Sequence, residues 1–281
     1  MGKTLKTYAD WRRQENLHEY DFYKTQLELY CLSMFKWINL PETISSRFLE
    51  RSLFYNGYVI FFKSKDLDCF VVANATAIGL NDYEEPTAYR ARGVNKINEL
   101  VQASECVVIR NNVLWRGNIS SVNFFAKELS NVKKTFDLNL EQLKNPYIIE
   151  CEEGQLTTVQ NMMRKKTNGE PYIFSRKDAT KQFNITTFDL KIQNYTQQLL
   201  DVQNSIESKA KTHFGINNNN VFKRERLVSN ETNQNNEEIE LNRKLMLDER
   251  KKACQEIKEM FNIEIDVEFI LDSDLGGEID A

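Results

Sequence analysis

Few residues in this chain have both the type and the spacing for chemistry. The stretch IEIDVEF puts Glu264, Asp266 and Glu268 at alternate positions. On a strand they would share one face, and three carboxylates there could hold a divalent metal for phosphodiester hydrolysis. The commoner outcome for such a pattern is a solvated strand face. The two histidines, His18 and His213, have no serine or cysteine partner at a recognisable spacing, and helix-end positions suit both. Gly2-Lys3-Thr4 lacks the upstream glycine and strand of a phosphate-binding loop. Asp272-x-Asp274-x-Gly276-Gly277 opens like a calcium loop, but the closing glutamate is missing before Ala281. The expectation is therefore no enzyme, with no catalytic set, no metal and no cofactor.

Of three basic clusters, two point instead to phosphate. Lys3, Lys6, Arg12 and Arg13, interleaved with Tyr8 and Trp11, make an N-terminal arm suited to backbone contact and base stacking. Arg164, Lys165 and Lys166, with Lys177 and Lys181, read as a solvated face. The third cluster, Lys223, Arg224 and Arg226, sits in the polar run Gly215–Asn242 behind four consecutive asparagines. Composition permits a linker there, and the basic cluster reads either as a phosphate contact or as a solvated helix end.

The elements that must position these groups follow from periodicity. Apolar residues at alternating steps of three and four mark three long helices. One runs through Tyr20, Tyr23, Leu27, Tyr30, Met34 and Trp37. The second runs through Val122, Phe125, Leu129, Val132 and Phe136, and the third through Phe188, Ile192, Tyr195, Leu199, Val202 and Ile206. A less regular fourth helix spans Glu238 to Phe261. SSRFLERSLFYNG reads as a short helix capped by Ser45 or Ser46 and stopped at Gly57. Strands are expected at Tyr58–Lys63, Cys69–Asn74, Thr87–Arg92, Cys106–Arg110 and Ile263–Phe269. A small β-α-β unit follows from Tyr147–Cys151, a helix from Gly154 to Lys166, and Tyr172–Ser175.

With 281 residues, 41% hydrophobic and a net charge of −4, the chain can build a real core and is not sheathed in positive charge. Cys31, Cys69, Cys106, Cys151 and Cys254 form no CxxC pair, so reduced, mostly buried thiols are expected. No run is apolar enough to span a bilayer, and no signal core precedes Trp11. Three long amphipathic helices separated by insertions leave apolar faces uncovered, which predicts packing against other copies.

Trp37–Ser64, WINLPETISSRFLERSLFYNGYVIFFKS, resembles the W-x-N-L-P…FLE…GYV-x-F pattern of upper-collar proteins. These are the portals, or head–tail connectors, of phi-29-like (picovirus-type) short-tailed bacteriophages. The resemblance resumes at TAYRA (Thr87–Ala91), VVIRNN (Val107–Asn112), FFAKEL (Phe124–Leu129), FGINNNNVFKRERLVSNE (Phe214–Glu231) and ERKKACQEIKEMFNIEIDVEF (Glu249–Phe269).

It implies an α+β portal fold: a long-helix stem, a small α/β wing and a β-α-β clip, assembled as a dodecameric ring. Its segments would be an arm at 1–17, stem helices at 18–44, 119–145 and 188–214, a wing at 45–118 and a clip at 146–187. A channel loop at 215–242, a helix and strand returning to the wing or crown at 243–272, and a flexible tail at 273–281 complete the chain.

The implied function is a conduit through which double-stranded DNA is packaged and ejected, at the portal vertex of a virion assembled in the host cytoplasm. Implied partners are the major capsid and scaffolding proteins, a packaging ATPase, a packaging RNA at the arm, and the lower collar or tail protein, with no membrane. Lys223, Arg224 and Arg226 would contact DNA from the channel loop. Lys127, Lys133, Lys134, Glu128, Asp137 and Glu141 are the stem residues expected to face the channel. The arm is less basic and the C-terminus shorter than in the best-studied members. An RNA- or DNA-binding scaffold protein acting through the arm, outside a ring, is the alternative.

Overall fold

The computed structural model describes residues 8–93, 97–143, 147–151, 183–187, 193–218 and 229–270, with Thr157, Gln160, Asn161 and Arg164 between them. In chain order the elements are α1 (Tyr8–Leu32), β1 (Phe35–Ile38), α2 (Ser46–Asn56), β2 (Tyr58–Lys63), β3 (Phe70–Leu80), β4 (Pro86–Arg92) and β5 (Asn98–Gln102). A single 3-10 turn (Ala103–Glu105) leads to β6 (Cys106–Arg110), α3 (Ile119–Gln142), β7 (Tyr147–Cys151), β8 (Phe183–Thr187), α4 (Thr196–His213), α5 (Ser229–Phe261) and β9 (Asp266–Phe269). The fold is α+β, as expected. It divides into two compact units, residues 1–133 with 202–281 and residues 134–201.

The first unit is built on a five-stranded antiparallel sheet, in the order β5-β4-β3-β2-β6. Its outermost strands, β5 and β6, are consecutive in the chain and joined only by the 3-10 turn. Five flat strands would hold those edges ~19 Å apart, whereas the connection from Gln102 to Cys106 reaches at most ~14 Å. The sheet must therefore curl, and it encloses a small core of its own: Ile60, Phe62, Val71, Ala73, Tyr89, Ala91, Val101 and Cys106. The other face carries Val59, Phe61, Val72, Val107 and Ile109 into the main core. There they meet Leu49 and Leu53 of α2, Val122, Ala126 and Leu129 of α3, and Ala253, Cys254 and Ile257 of α5. Strict alternation along β2 and β6 thus builds both cores, each buried aliphatic adding roughly 1.5–3 kcal/mol. Phe61, Phe70 and Phe261, with ring centroids 5.4–5.6 Å apart, lock the end of α5 onto the sheet.

The α2 boundaries are written locally. Ser45 Oγ accepts from the Phe48 amide at 3.3 Å, and the chain leaves the helix at Gly57 in the left-handed region, φ 86°. A Cβ at Gly57 would also stand 2.1 Å from the Trp115 carbonyl oxygen, so only glycine fits.

Several expected boundaries move. The first helix ends at Leu32, because Ser33 turns its amide and hydroxyl back onto the Leu29 and Tyr30 carbonyls. Trp37, expected to be helical, lies in β1, which pairs antiparallel with β9 from Phe35↔Phe269 to Ile38↔Asp266. At its other end α1 begins at Tyr8, inside the segment read as an arm. β5 is an additional strand, and β3 runs on to Leu80.

The fourth helix begins at Ser229, well before Glu238, so residues 229–242 of the expected channel loop are helical. They lack the apolar seam that marks a helix in sequence; their Glu and Gln residues are nonetheless good helix formers, and Ser229 stands at the start. The strand expected from Ile263 is confined to β9, with the preceding four residues irregular.

In the second unit β7 pairs antiparallel with β8, Tyr147↔Thr187 to Cys151↔Phe183. The strand expected at Tyr172–Ser175 lies outside the described residues, and the observed partner of β7 is the unanticipated FNITT. Thr157, Gln160, Asn161 and Arg164 are helical, in agreement with the helix expected there. The third long helix starts at Thr196 rather than near Phe188. Asn194 Oδ1 accepts from the Thr196 amide and hydroxyl at 3.0 and 2.6 Å, which sets an N-terminal boundary that the apolar period does not reveal. Buried Asn139 on α3 bonds the Gln193 carbonyl and the Tyr195 amide, fixing the approach to α4.

Candidate functional site

Of the three basic clusters, Lys223, Arg224, Arg226, Lys3, Lys6, Lys165, Lys166, Lys177 and Lys181 lie outside the described residues. Arg12 and Arg13 fall in the first turns of α1. The structure describes the root from which the 219–228 segment departs. Asn218, buried beyond the end of α4, donates its amide to the Ser208 carbonyl, the Ser208 hydroxyl and the Thr212 hydroxyl at 2.8–3.1 Å. Gly215, at φ 72°, passes so close to α5 that a Cβ would meet the Arg243 amide nitrogen at 2.7 Å. Arg243 Nε returns a bond to the Gly215 carbonyl at 3.2 Å while its guanidinium lies 3.9 Å over the Phe269 ring. Asn242 adds a bond to the Thr212 carbonyl. The FGIN part of the motif is thus a clamp between the end of α4 and the body of α5.

The six candidate stem residues all lie on α3. In the first unit Lys127 is exposed, and Glu128 and Lys133 are half-buried. In the second unit Lys134 and Asp137 are half-buried and Glu141 is exposed. Their spacing does not place them on one face. Lys127, Lys134 and Glu141 recur at seven residues, whereas Glu128 falls away from that stripe and Lys133 falls in line with the buried Val122, Ala126 and Leu129. A single ring-facing stripe can include at most part of the set.

The acidic strand is accounted for residue by residue. Glu264 pairs with Lys258 at 2.6 Å, Asp266 with Lys251 at 3.2 Å and Glu268 with Lys36 at 3.1 Å. The Val267 amide, more than Lys251, holds the Asp266 carboxyl below its usual range. Each carboxylate is answered by a lysine, so the row is a set of surface ion pairs. His213 Nε2 sits 3.0 Å from Ser121 Oγ, with Phe125 and Phe214 against the ring. Burial holds its imidazole below the ordinary range, and Glu238 opposes that in part. Burial also raises the Cys106 thiol to about 11 and the Cys254 thiol to about 12, which keeps both protonated and unreactive at neutral pH.

Sequence reasoning overlooked the most constrained polar group. Arg250, 2% exposed, forms a two-pronged pair with Glu50: Nε to Oε1 at 3.0 Å and Nη2 to Oε2 at 2.9 Å. Its remaining donors reach the Asn111 carbonyl and side chain and the Met246 carbonyl at 3.0–3.3 Å. The guanidinium also lies 4.0 Å over the Phe35 ring. Trp37 Nε1 donates to Glu50 Oε1 at 2.8 Å. Asn111 in turn bonds the Arg116 carbonyl and Asn118, folding the segment after β6 over the end of α2.

Such a pair persists in an apolar core because the charges are matched and their hydrogen-bonding groups are met. Its four members come from WINLP, FLE, RNN and ERKK, so the motifs that carried the resemblance converge on one point. That point is buried, leaves no room for substrate, and fastens β1, α2, β6 and α5 together. For Glu50 and Asn111 the available signal was a polar residue closing an apolar run, in FLE and VVIRNN, whereas ERKK carries no such signal for Arg250.

The family described as Phage Connector (GP10) matches residues 4–273 of this chain. The portal and tail structure of native bacteriophage P68 contains a chain that superposes with a TM-score of 0.53 at 15% identity, covering 97% of this chain and 93% of that one. Chains from the virion of a native gene transfer agent particle (TM-score 0.52, 9% identity) and from the neck of an empty gene transfer agent particle (0.51, 8% identity) each cover 90% of this chain and 81% of their own. At these identities the three likenesses speak for the fold. The family match, over nearly the whole chain, speaks for kinship: this protein belongs to the phage connector family and is a portal, the head–tail connector of a bacteriophage particle.

Proposed function

We propose that the chain assembles into a dodecameric ring whose channel passes double-stranded DNA into the capsid during packaging and out of it at ejection. The observation that carries this reading is the connector-family match across residues 4–273. In a ring every charge is repeated around the axis, so one residue becomes a belt. Mixed acidic and basic belts from α3 centre the duplex without a deep binding well, which translocation requires. Lys223, Arg224 and Arg226, carried beyond the Asn218 clamp, are the proposed phosphate contacts of the channel loop.

The arm residues Lys3, Lys6, Arg12 and Arg13 are proposed to meet the packaging motor or its RNA. The second unit, with its β7–β8 pair, is proposed as the clip that serves first the motor and later the lower collar or tail protein. The wing is proposed to face the capsid and scaffolding proteins. ATP hydrolysis then belongs to a separate motor. Negative-stain images of purified full-length protein test the ring directly. Rings with a central channel are expected, and only monomers or dimers across salt and concentration would overturn the reading.

A further inference from the structure

The curled sheet of the first unit presents two outward surfaces of opposite chemistry. Along β4, Tyr89 and Ala91 point into the enclosed core while Arg90 and Arg92 alternate onto the opposite face, both exposed. Their cross-strand neighbours are uncharged: Thr76 and Leu100 beside Arg90, Asn74 and Asn98 beside Arg92. Neither guanidinium has a carboxylate partner among the described residues. Exposed Ile78 and Leu100 share this face. Asn56 ties the end of α2 to Asn74 at 2.9 Å.

Between the sheet and the last turns of α5 lies a groove of about 480 Å³, floored by Cys106, Val108 and Trp115. Glu85, Glu256 and Glu259 stand around it. Among the described residues the Glu85 and Glu259 carboxylates accept from neutral side-chain amides, those of Asn81 and Gln255. Arg110, which also lines the groove, pairs with Glu249 at 3.8 Å and stacks 4.4 Å over Trp115, so among the described residues no cation pairs with the three carboxylates.

We propose that these two surfaces are the two halves of one head-to-tail contact. The Arg90–Arg92 face of each copy docks into the Glu85–Glu256–Glu259 groove of the next. The proposal rests on the ring reading above and names the partner surface within it. A closed ring needs two different, mutually complementary patches on the same chain. Among the described residues no ion pair joins the two patches within a copy, so each can meet its complement on a neighbouring copy. Arginine suits such a contact, because its planar fork pairs with carboxylates in fixed geometry.

The test uses two full-length double variants, Arg90→Glu/Arg92→Glu and Glu256→Arg/Glu259→Arg, followed by mass photometry and negative-stain imaging beside the wild type. Each variant alone should lose the ring species while keeping the wild-type circular dichroism and thermal transition of the subunit, because all four residues are exposed or half-exposed. An equimolar mixture of the two should recover rings, since every interface in an alternating ring again joins opposite charges and a dodecamer accommodates alternation. A chain carrying all four changes should also recover them.

Normal rings from either variant alone, or no recovery in the mixture, would overturn the contact while leaving the ring reading intact. Absence of rings from the wild type would overturn both. Intact rings of the arginine variant that no longer bind a short DNA duplex, read by fluorescence anisotropy, would reassign this face to nucleic acid and defeat the proposal.

Discussion

At the scale of single residues, the Arg250–Glu50 pair decides more than any surface charge. Removing one partner leaves a buried, uncompensated charge, a cost of about 3–5 kcal/mol. Arg250→Ala should therefore lower unfolding free energy by that order in urea titrations. The Glu50→Ala/Arg250→Ala double variant should cost much less than the sum of the two single ones, and additive losses would show that the pair is not coupled. His213 supplies a second, smaller effect. Its folded-state pKa is depressed, so the unfolded chain takes up the proton first as pH falls, and stability declines below the ordinary imidazole range. His213→Gln should flatten the stability profile between about pH 5 and pH 7. The slope is shallow because one side of the residue remains open to solvent, and an unchanged profile would remove His213 as its source.

At the scale of elements, the clamp between α4 and α5 sets where motion begins. Asn218→Ala deletes three hydrogen bonds at a buried site and should speed amide exchange at the end of α4 while leaving the sheet unaffected. Uniform loss of protection across the unit would instead make Asn218 part of the global fold. How much of this was legible in the sequence depends on where each element draws its stability. α2, β2 and β6 were read at or within a residue of their ends, because Ser45, Gly57 and strict β-branched or aromatic runs are local signals. β1 was missed because Met34 and Trp37 happen to continue the spacing of α1, while the force that makes it a strand is pairing with β9, far along the chain. The first turns of α5 were missed for the opposite reason: they are helical without an apolar stripe. Arg250 was invisible within ERKK, since nothing local distinguishes a buried arginine from its solvated neighbours.

At the scale of the whole molecule, a connector separates assembly from transport. Lys223→Ala/Arg224→Ala should leave ring formation unchanged and impair retention of packaged DNA, measured as nuclease-protected genome per particle; loss of rings would make the pair structural. Deletion of residues before Trp11 should reduce packaging yield in a motor-dependent assay more than it lowers the thermal transition of the ring. A normal yield would count against the arm as the docking element. The family match identifies the class of machine, whereas helix spacing splits the six α3 candidates between faces.

The strand pair that joins Phe35 to Phe269, together with the Glu50–Arg250 pair reaching across 200 positions, carries a temporal consequence. While the protein is being synthesised, α2 and the five-stranded sheet have their hydrophobic faces but not the helix and strand that close over them. Cys254, Ile257 and Val267 must leave the ribosome before that core can be completed. A partly made chain therefore cannot present a finished first unit, and the proposed ring could take in only chains whose translation has passed β9.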